Sequence, residues 1–143
     1  MESLQGILEG FIVLTNLSIF IFLIIGFFIG TFFGAVPGLT SCLAIALLLP
    51  LTYRMDVVTA LVMCMSIYMA GIYSGSITAT TINIPGAPSA MMTAIEGYPL
   101  MKKGEGAKAL GHAAFGSMIG GVIGTVLLML ISVMSGLLDN KIK

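Results

Sequence analysis

Charge is scarce in this sequence. Asp, Glu, Lys and Arg make up 8% of the 143 residues and cancel to a net charge of zero, where a soluble domain carries about a quarter charged residues. Hydrophobic residues account for 58%, and the mean hydropathy is +1.13. This balance describes an integral membrane protein. A basic cluster is missing, which argues against nucleic-acid binding. No lysine or arginine precedes Arg54, so residues 1–16, mildly amphipathic with Glu2 and Glu9, lack the basic region of a secretory signal peptide. Cysteine is scarce too. Cys42 and Cys64 both fall in apolar segments and read as small core residues, not as a disulfide or metal pair. The single histidine, His112, reads as a surface or capping group at a helix end. With no GxSG-like nucleophile motif, and His112 in a different span from Ser74 and Ser76, an intramembrane hydrolase is disfavoured. No catalytic set, cofactor motif or metal cluster is visible.

What the chain does have is apolar runs of membrane length, broken twice by Pro-Gly. Leu17–Val36, Val57–Tyr73 and Ala109–Val133 read as spans, each close to the ~20 residues that a bilayer core requires. Gly26, Gly30 and Gly34 repeat every fourth residue and read as a ridge for close helix packing. Gly116, Gly120, Gly121 and Gly124 lie along the last span. Pro37-Gly38 breaks the chain after the first span, leaving Leu39–Leu51 as a half-helix or re-entrant segment; whether it crosses or only dips stays open at this level. Thr40 and Ser41 open it, so a capped start with exposed amides points at the break. Pro50 and Thr52–Asp56 close it, with Arg54 and Asp56 expected as a pair at the membrane surface.

The second break organises the rest. Tyr73–Ala90 is dense in hydroxyls and carries Pro85-Gly86 and Pro88, which make a continuous helix through this point improbable. Non-helical backbone at membrane depth is tolerated where protein or a water-filled cavity satisfies it, and transporters build solute sites from such broken helices. Ser74, Thr78 and Thr81 share one helical face, and Ser76, Thr80 and Asn83 another. Hydroxyls bonding their own backbone are the alternative to a solute-facing role. Pro88 and Ser89 start a short helix expected to end before Gly97. Glu96–Lys108, with Lys102, Lys103 and Lys108, reads as a polar loop on the cytoplasmic side. The expectation is an all-α integral membrane protein, one membrane domain with three full spans plus broken or re-entrant half-helices at the two Pro-Gly turns, over about residues 37–51 and 74–96.

Five blocks, in this order and spacing, resemble the TctA-type large membrane subunit of tripartite tricarboxylate transporters. They are Gly30-Thr-Phe-Phe-Gly-Ala-Val-Pro-Gly-Leu39, Ala46-Leu-Leu-Leu-Pro-Leu-Thr-Tyr53, Ile72-Tyr-Ser-Gly-Ser-Ile-Thr-Ala79, Ile82-Asn-Ile-Pro-Gly-Ala-Pro-Ser-Ala90 and Glu96-Gly-Tyr-Pro99. The resemblance implies a multi-pass permease of a bacterial or archaeal cytoplasmic membrane. It implies carboxylate uptake driven by a coupling cation, proton or sodium, with a small membrane subunit and a periplasmic solute-binding protein as partners. A TctA-type subunit is several times longer, so the likeness covers its amino-terminal part. The chain departs from the family pattern at Thr40-Ser41, Ser74-Gly75 and Glu96, where Gly-Pro, two glycines and aspartate are usual; these departures bear on which solute is taken. The expected solute-binding set is Pro37, Gly38, Thr40, Ser41, Ser74, Ser76, Thr80, Asn83, Pro85, Gly86 and Ser89. The competing class is a non-transporting membrane remnant that acts only as a packing partner.

Overall fold

The computed structural model describes residues 15–142 together with Gly10 and Ile12, with side chains as far as Ser135. Glu2 and Glu9 of the expected amphipathic start lie outside the described residues. The described chain is helical, and three of its helices are long and apolar enough to cross a membrane.

α1 (Leu17–Ala35) starts where the Asn16 side chain accepts a hydrogen bond from the Ser18 amide at 3.2 Å. It ends at Val36, whose backbone turns extended ahead of Pro37. Gly38 then takes φ +92°, a conformation open to glycine at no steric cost. α2 (Ser41–Thr52) is only 12 residues, about 18 Å long. α3 (Val57–Ile82) begins at Asp56, which accepts from the Val58 amide at 3.2 Å. Asp56 thus serves as a helix cap, and among the described residues it forms no ion pair with the expected partner Arg54.

α3 departs from expectation most. It runs unbroken through Tyr73 to Ile82, 26 residues in all. The hydroxyls that suggested a break satisfy themselves along the helix. Ser74 donates to the Gly71 carbonyl, Thr78 to Gly75, Thr80 to Ser76 and Thr81 to Ile77, at 2.8–3.3 Å. The helix stops only at Asn83, which adopts the left-handed conformation, φ 59° and ψ 27°. Asn83→Gly should therefore leave thermal stability in detergent nearly unchanged. Asn83→Val, branched at Cβ, should cost about 1–2 kcal/mol. Equal melting of the two variants would show that this turn is not held left-handed.

A single 3-10 turn, Pro88–Ala90, leads into α4 (Met91–Lys102). α4 continues past its expected end at Gly97 because that glycine is a packing position: a Cβ there would sit 2.9 Å from Thr80 Oγ1. The expected polar loop from Glu96 shrinks accordingly to a tight turn around Gly104. α5 (Gly106–Ile142) follows, with Glu105 and Lys108 paired at 2.8 Å on its exposed first turn, a contact of little energetic weight. His112 Nδ1 lies 2.7 Å from the Lys108 carbonyl. That nitrogen carries the proton, since a carbonyl only accepts.

Glycine contacts set the helix directions. Gly26 meets Met63 and Ser66, Gly30 meets Ile67, and Gly34 meets Gly71 and Ser74. Residue numbers rise together along both helices, so α1 and α3 run parallel. The stretch between them must bring the chain back to the side from which α1 starts. α2 does this, packing Ala44 against Met63 and Ile67 with Phe22, Ile29, Phe33, Ile45 and Leu48 around them. α3 overshoots the level of α1 by its last two turns, where Ala79 packs on Ala90 and Ala94. α5 then runs back along α3, with Gly121 reaching Met69.

Candidate functional site

The two Pro-Gly breaks converge. A cavity of about 340 Å³ is lined by Thr40, Ser41 and Cys42 from the start of α2, and by Gly86, Ala87, Pro88 and Ser89 from the second break. Gly34 and Leu39, with Tyr68, Gly71 and Ile72 on α3, complete the walls. The volume is at the lower end of the ~300–1,000 Å³ usual for small-molecule sites. Two larger spaces exist, about 540 and 690 Å³; Leu23, Phe27, Met65 and Met69 make the first an apolar groove, while the second, between α3 and α5, mixes Ile72, Met118 and Leu128 with Tyr73, Ser117 and Thr125. Apolar walls offer a charged solute nothing to offset lost hydration. The smaller cavity is the one that segments after both breaks wall.

Glycine lets the walls meet. A Cβ on Gly86 would lie 2.6 Å from the Gly34 carbonyl oxygen and 3.0 Å from Gly75 Cα. The Gly86 amide donates to the Gly75 carbonyl at 3.5 Å, a long bond that ties the break to α3. Ser41 nestles against Gly71 from the other side. Of the expected site residues, Thr40, Ser41, Gly86 and Ser89 line the cavity. Ser74 is fully buried behind it, its hydroxyl turned to its own helix. Pro37, Gly38 and Pro85 shape the turns but are exposed and do not line it. Thr80 is buried under Gly97, on the face of α3 that receives α4; Ser76 is half-buried, and Asn83 is exposed at the helix end. None of these three lines the cavity.

Of the lining residues outside the expected set, Cys42 and Tyr68 carry a thiol and a hydroxyl. Cys42 is exposed and opens onto the cavity, and Cys64 is half-buried on α3; the reading of Cys42 as a core residue is corrected by its place on the open first turn of α2. Tyr68 joins one turn before Gly71, and nothing in its sequence neighbourhood marks it.

The donor inventory is uneven. No lysine, arginine or histidine lines the cavity. Ser74, Thr78, Thr80 and Thr81 spend their hydroxyl protons on carbonyls of α3, so towards a ligand each offers only lone pairs.

Residues 20–138 match the family described as Tripartite tricarboxylate transporter TctA family. An uncharacterised 52.8 kDa protein in the TAR-I ttuC' 3' region of Agrobacterium vitis is 43% identical over 104 residues, which are 73% of this chain and 21% of that protein. The chain thus spans about a fifth of that relative's length. No solved structure matches the chain.

Proposed function

This chain belongs to the Tripartite tricarboxylate transporter TctA family, and on that premise we propose that it supplies the first part of a carboxylate permeation site in a bacterial or archaeal cytoplasmic membrane. The solute occupies the cavity between the start of α2 and the Gly86–Ser89 segment. Uptake draws on a proton or sodium gradient, and solute reaches the site from a periplasmic binding protein with the help of a small membrane subunit. The protein moves its solute without converting it and is not an enzyme.

One observation carries this reading: segments following both chain breaks wall a single cavity that also holds polar groups. Backbone that leaves helical geometry inside a bilayer must be satisfied by protein or water, and a cavity at such a point admits both water and solute. Cys42 supplies a built-in reporter. In membranes carrying the Cys64→Ala form of the protein, millimolar citrate should slow alkylation of Cys42 by a maleimide severalfold, and trimethyl citrate, which lacks the charge, should not. Equal rates with and without citrate would make the cavity a packing space and favour the non-transporting remnant. Citrate uptake measured with and without sodium, and with a protonophore, identifies the coupling ion.

A further inference from the structure

Resting on that reading, we infer that the first turn of α2 is an anion subsite: the Ser41 hydroxyl and the amides of Ser41 and Cys42 hold one carboxylate of the solute. The cavity has no cationic side chain, so a carboxylate must find neutral donors already in place. The hydroxyls of Ser74, Thr78, Thr80 and Thr81 on α3 are committed to their own carbonyls, which leaves Tyr68 as the α3 hydroxyl on this cavity. On the opposite wall the Gly86 amide bonds Gly75, Pro88 has no amide to give, and the Ala87 and Ser89 amides belong to a three-residue turn, which has no helix dipole to offer.

α2 differs in each respect. It is a 12-residue helix with its positive end at the cavity. Its N-cap Thr40 serves the later amides: Thr40 Oγ1 accepts from Leu43 at 3.2 Å, and the Thr40 carbonyl accepts from Ala44 at 3.1 Å. The amides of Ser41 and Cys42, the first two of the helix, have no intrahelical partner by construction. A second, independent feature stands beside them. Ser41 is only 8% exposed, yet its hydroxyl has no hydrogen-bond partner among the described residues. No side-chain polar atom shut off from solvent lacks a partner among those residues, so the Ser41 oxygen is reached from the cavity it lines. A nine-tenths buried hydroxyl left unbonded beside two free amides is a donor set awaiting an acceptor.

The local backbone offers a clean test. Thr40 is extended, φ −123° and ψ 155°, the conformation a residue before proline prefers, and Ser41 is the first helical position, where proline is welcome. Ser41→Pro should therefore keep α2 while deleting one amide and the hydroxyl. Ser41→Ala deletes the hydroxyl alone. Citrate binding to the purified protein in nanodiscs, measured by titration calorimetry, should weaken about tenfold in Ser41→Ala and about a hundredfold in Ser41→Pro. Since proline is the residue usual at this position in the family pattern, the subsite is a feature of this chain and not of that pattern. Ser18→Ala, on the exposed first turn of α1, should bind like the parent. Circular dichroism and melting unchanged from the parent would certify that both Ser41 variants are folded. If the parent binds citrate and folded Ser41→Ala and Ser41→Pro bind it equally well, the subsite is wrong while the cavity reading stands. If the parent neither binds citrate nor shows citrate protection of Cys42, both fall together.

Discussion

Gly30→Ala should lower the stability of the protein by about 2 kcal/mol or more, through a single added methyl group. That carbon would fall on the Ile67 carbonyl oxygen, 2.8 Å from Ile67 Cα and 2.9 Å from its carbonyl carbon. These are backbone atoms of the facing helix, which cannot swing aside as the tip of a side chain would. Relief requires α1 and α3 to move apart along their whole contact, and overpacking of this kind costs about 1–3 kcal/mol. Gly34→Ala should behave alike, since its methyl would meet the Gly71 carbonyl and the Ser74 hydroxyl. Gly116→Ala on α5 is the matched comparison. A Cβ there has nothing within 4 Å, so the change should be neutral or improve the helix by up to about 1 kcal/mol. Thermal unfolding in one detergent ranks the three; a Gly30→Ala protein melting with Gly116→Ala would mean that α1 and α3 are not packed backbone to backbone.

Gly86→Val should abolish transport while the helices still insert. The valine Cβ would lie 2.6 Å from the Gly34 carbonyl and 3.0 Å from Gly75 Cα, with Thr78 Oγ1 at 3.3 Å. To make room, the second break must lift off the crossing of α1 and α3. The long Gly86–Gly75 hydrogen bond goes first, and the wall that Gly86 to Ser89 gives the cavity goes with it. The cluster around Ala44, Met63 and Ile67 lies elsewhere, so membrane integration should survive. Citrate uptake by cells expressing the transporter that contains this chain should fall at least tenfold relative to parent, at equal amounts of membrane-inserted protein. Parental uptake by Gly86→Val would show that solute does not pass between the breaks.

The amino-acid pattern revealed the architecture more fully than the site. Long apolar runs and Pro-Gly punctuation are local signals, and α1, α2 and α5 begin close to where those signals place them. The pattern ends α3 too early because hydroxyls at 74, 76, 78, 80 and 81 resemble the lining of a break. Whether a serine turns its proton inward to its own helix or outward is a rotamer choice with no trace in sequence. The site needed one more fact, namely which face of α3 meets which neighbour. Once Gly71 and Gly75 face α1 and the breaks, Thr80 falls under α4, and Tyr68 joins the expected Ser41 at the cavity. Glycine spacing on α1 marked a packing ridge, but its partner residues Met63, Ile67 and Gly71 could be named only from the fold.

The parallel course of α1 and α3 has a consequence for how the chain is made. Two neighbouring helices that cross in the same direction require an intervening segment that crosses in the other, and here that segment holds 12 helical residues, about 18 Å against a hydrocarbon core of ~30 Å. As it emerges during synthesis, α2 is too short to settle in lipid unaided. The extended residues around Pro37 and the turn at Tyr53–Asp56 must complete the passage. Local bonds from Leu39 to Val36, Arg54 to Leu51 and Met55 to Thr52 satisfy part of that backbone, while Ala44 of α2 finds its packing partners Met63 and Ile67 only once α3 arrives. Insertion of α2 and α3 is therefore expected as a joint event, on the face that α1 presents to both. The orientation of all that follows, including which face of the membrane receives the lysine-bearing turn between α4 and α5, hangs on that one short helix making its return.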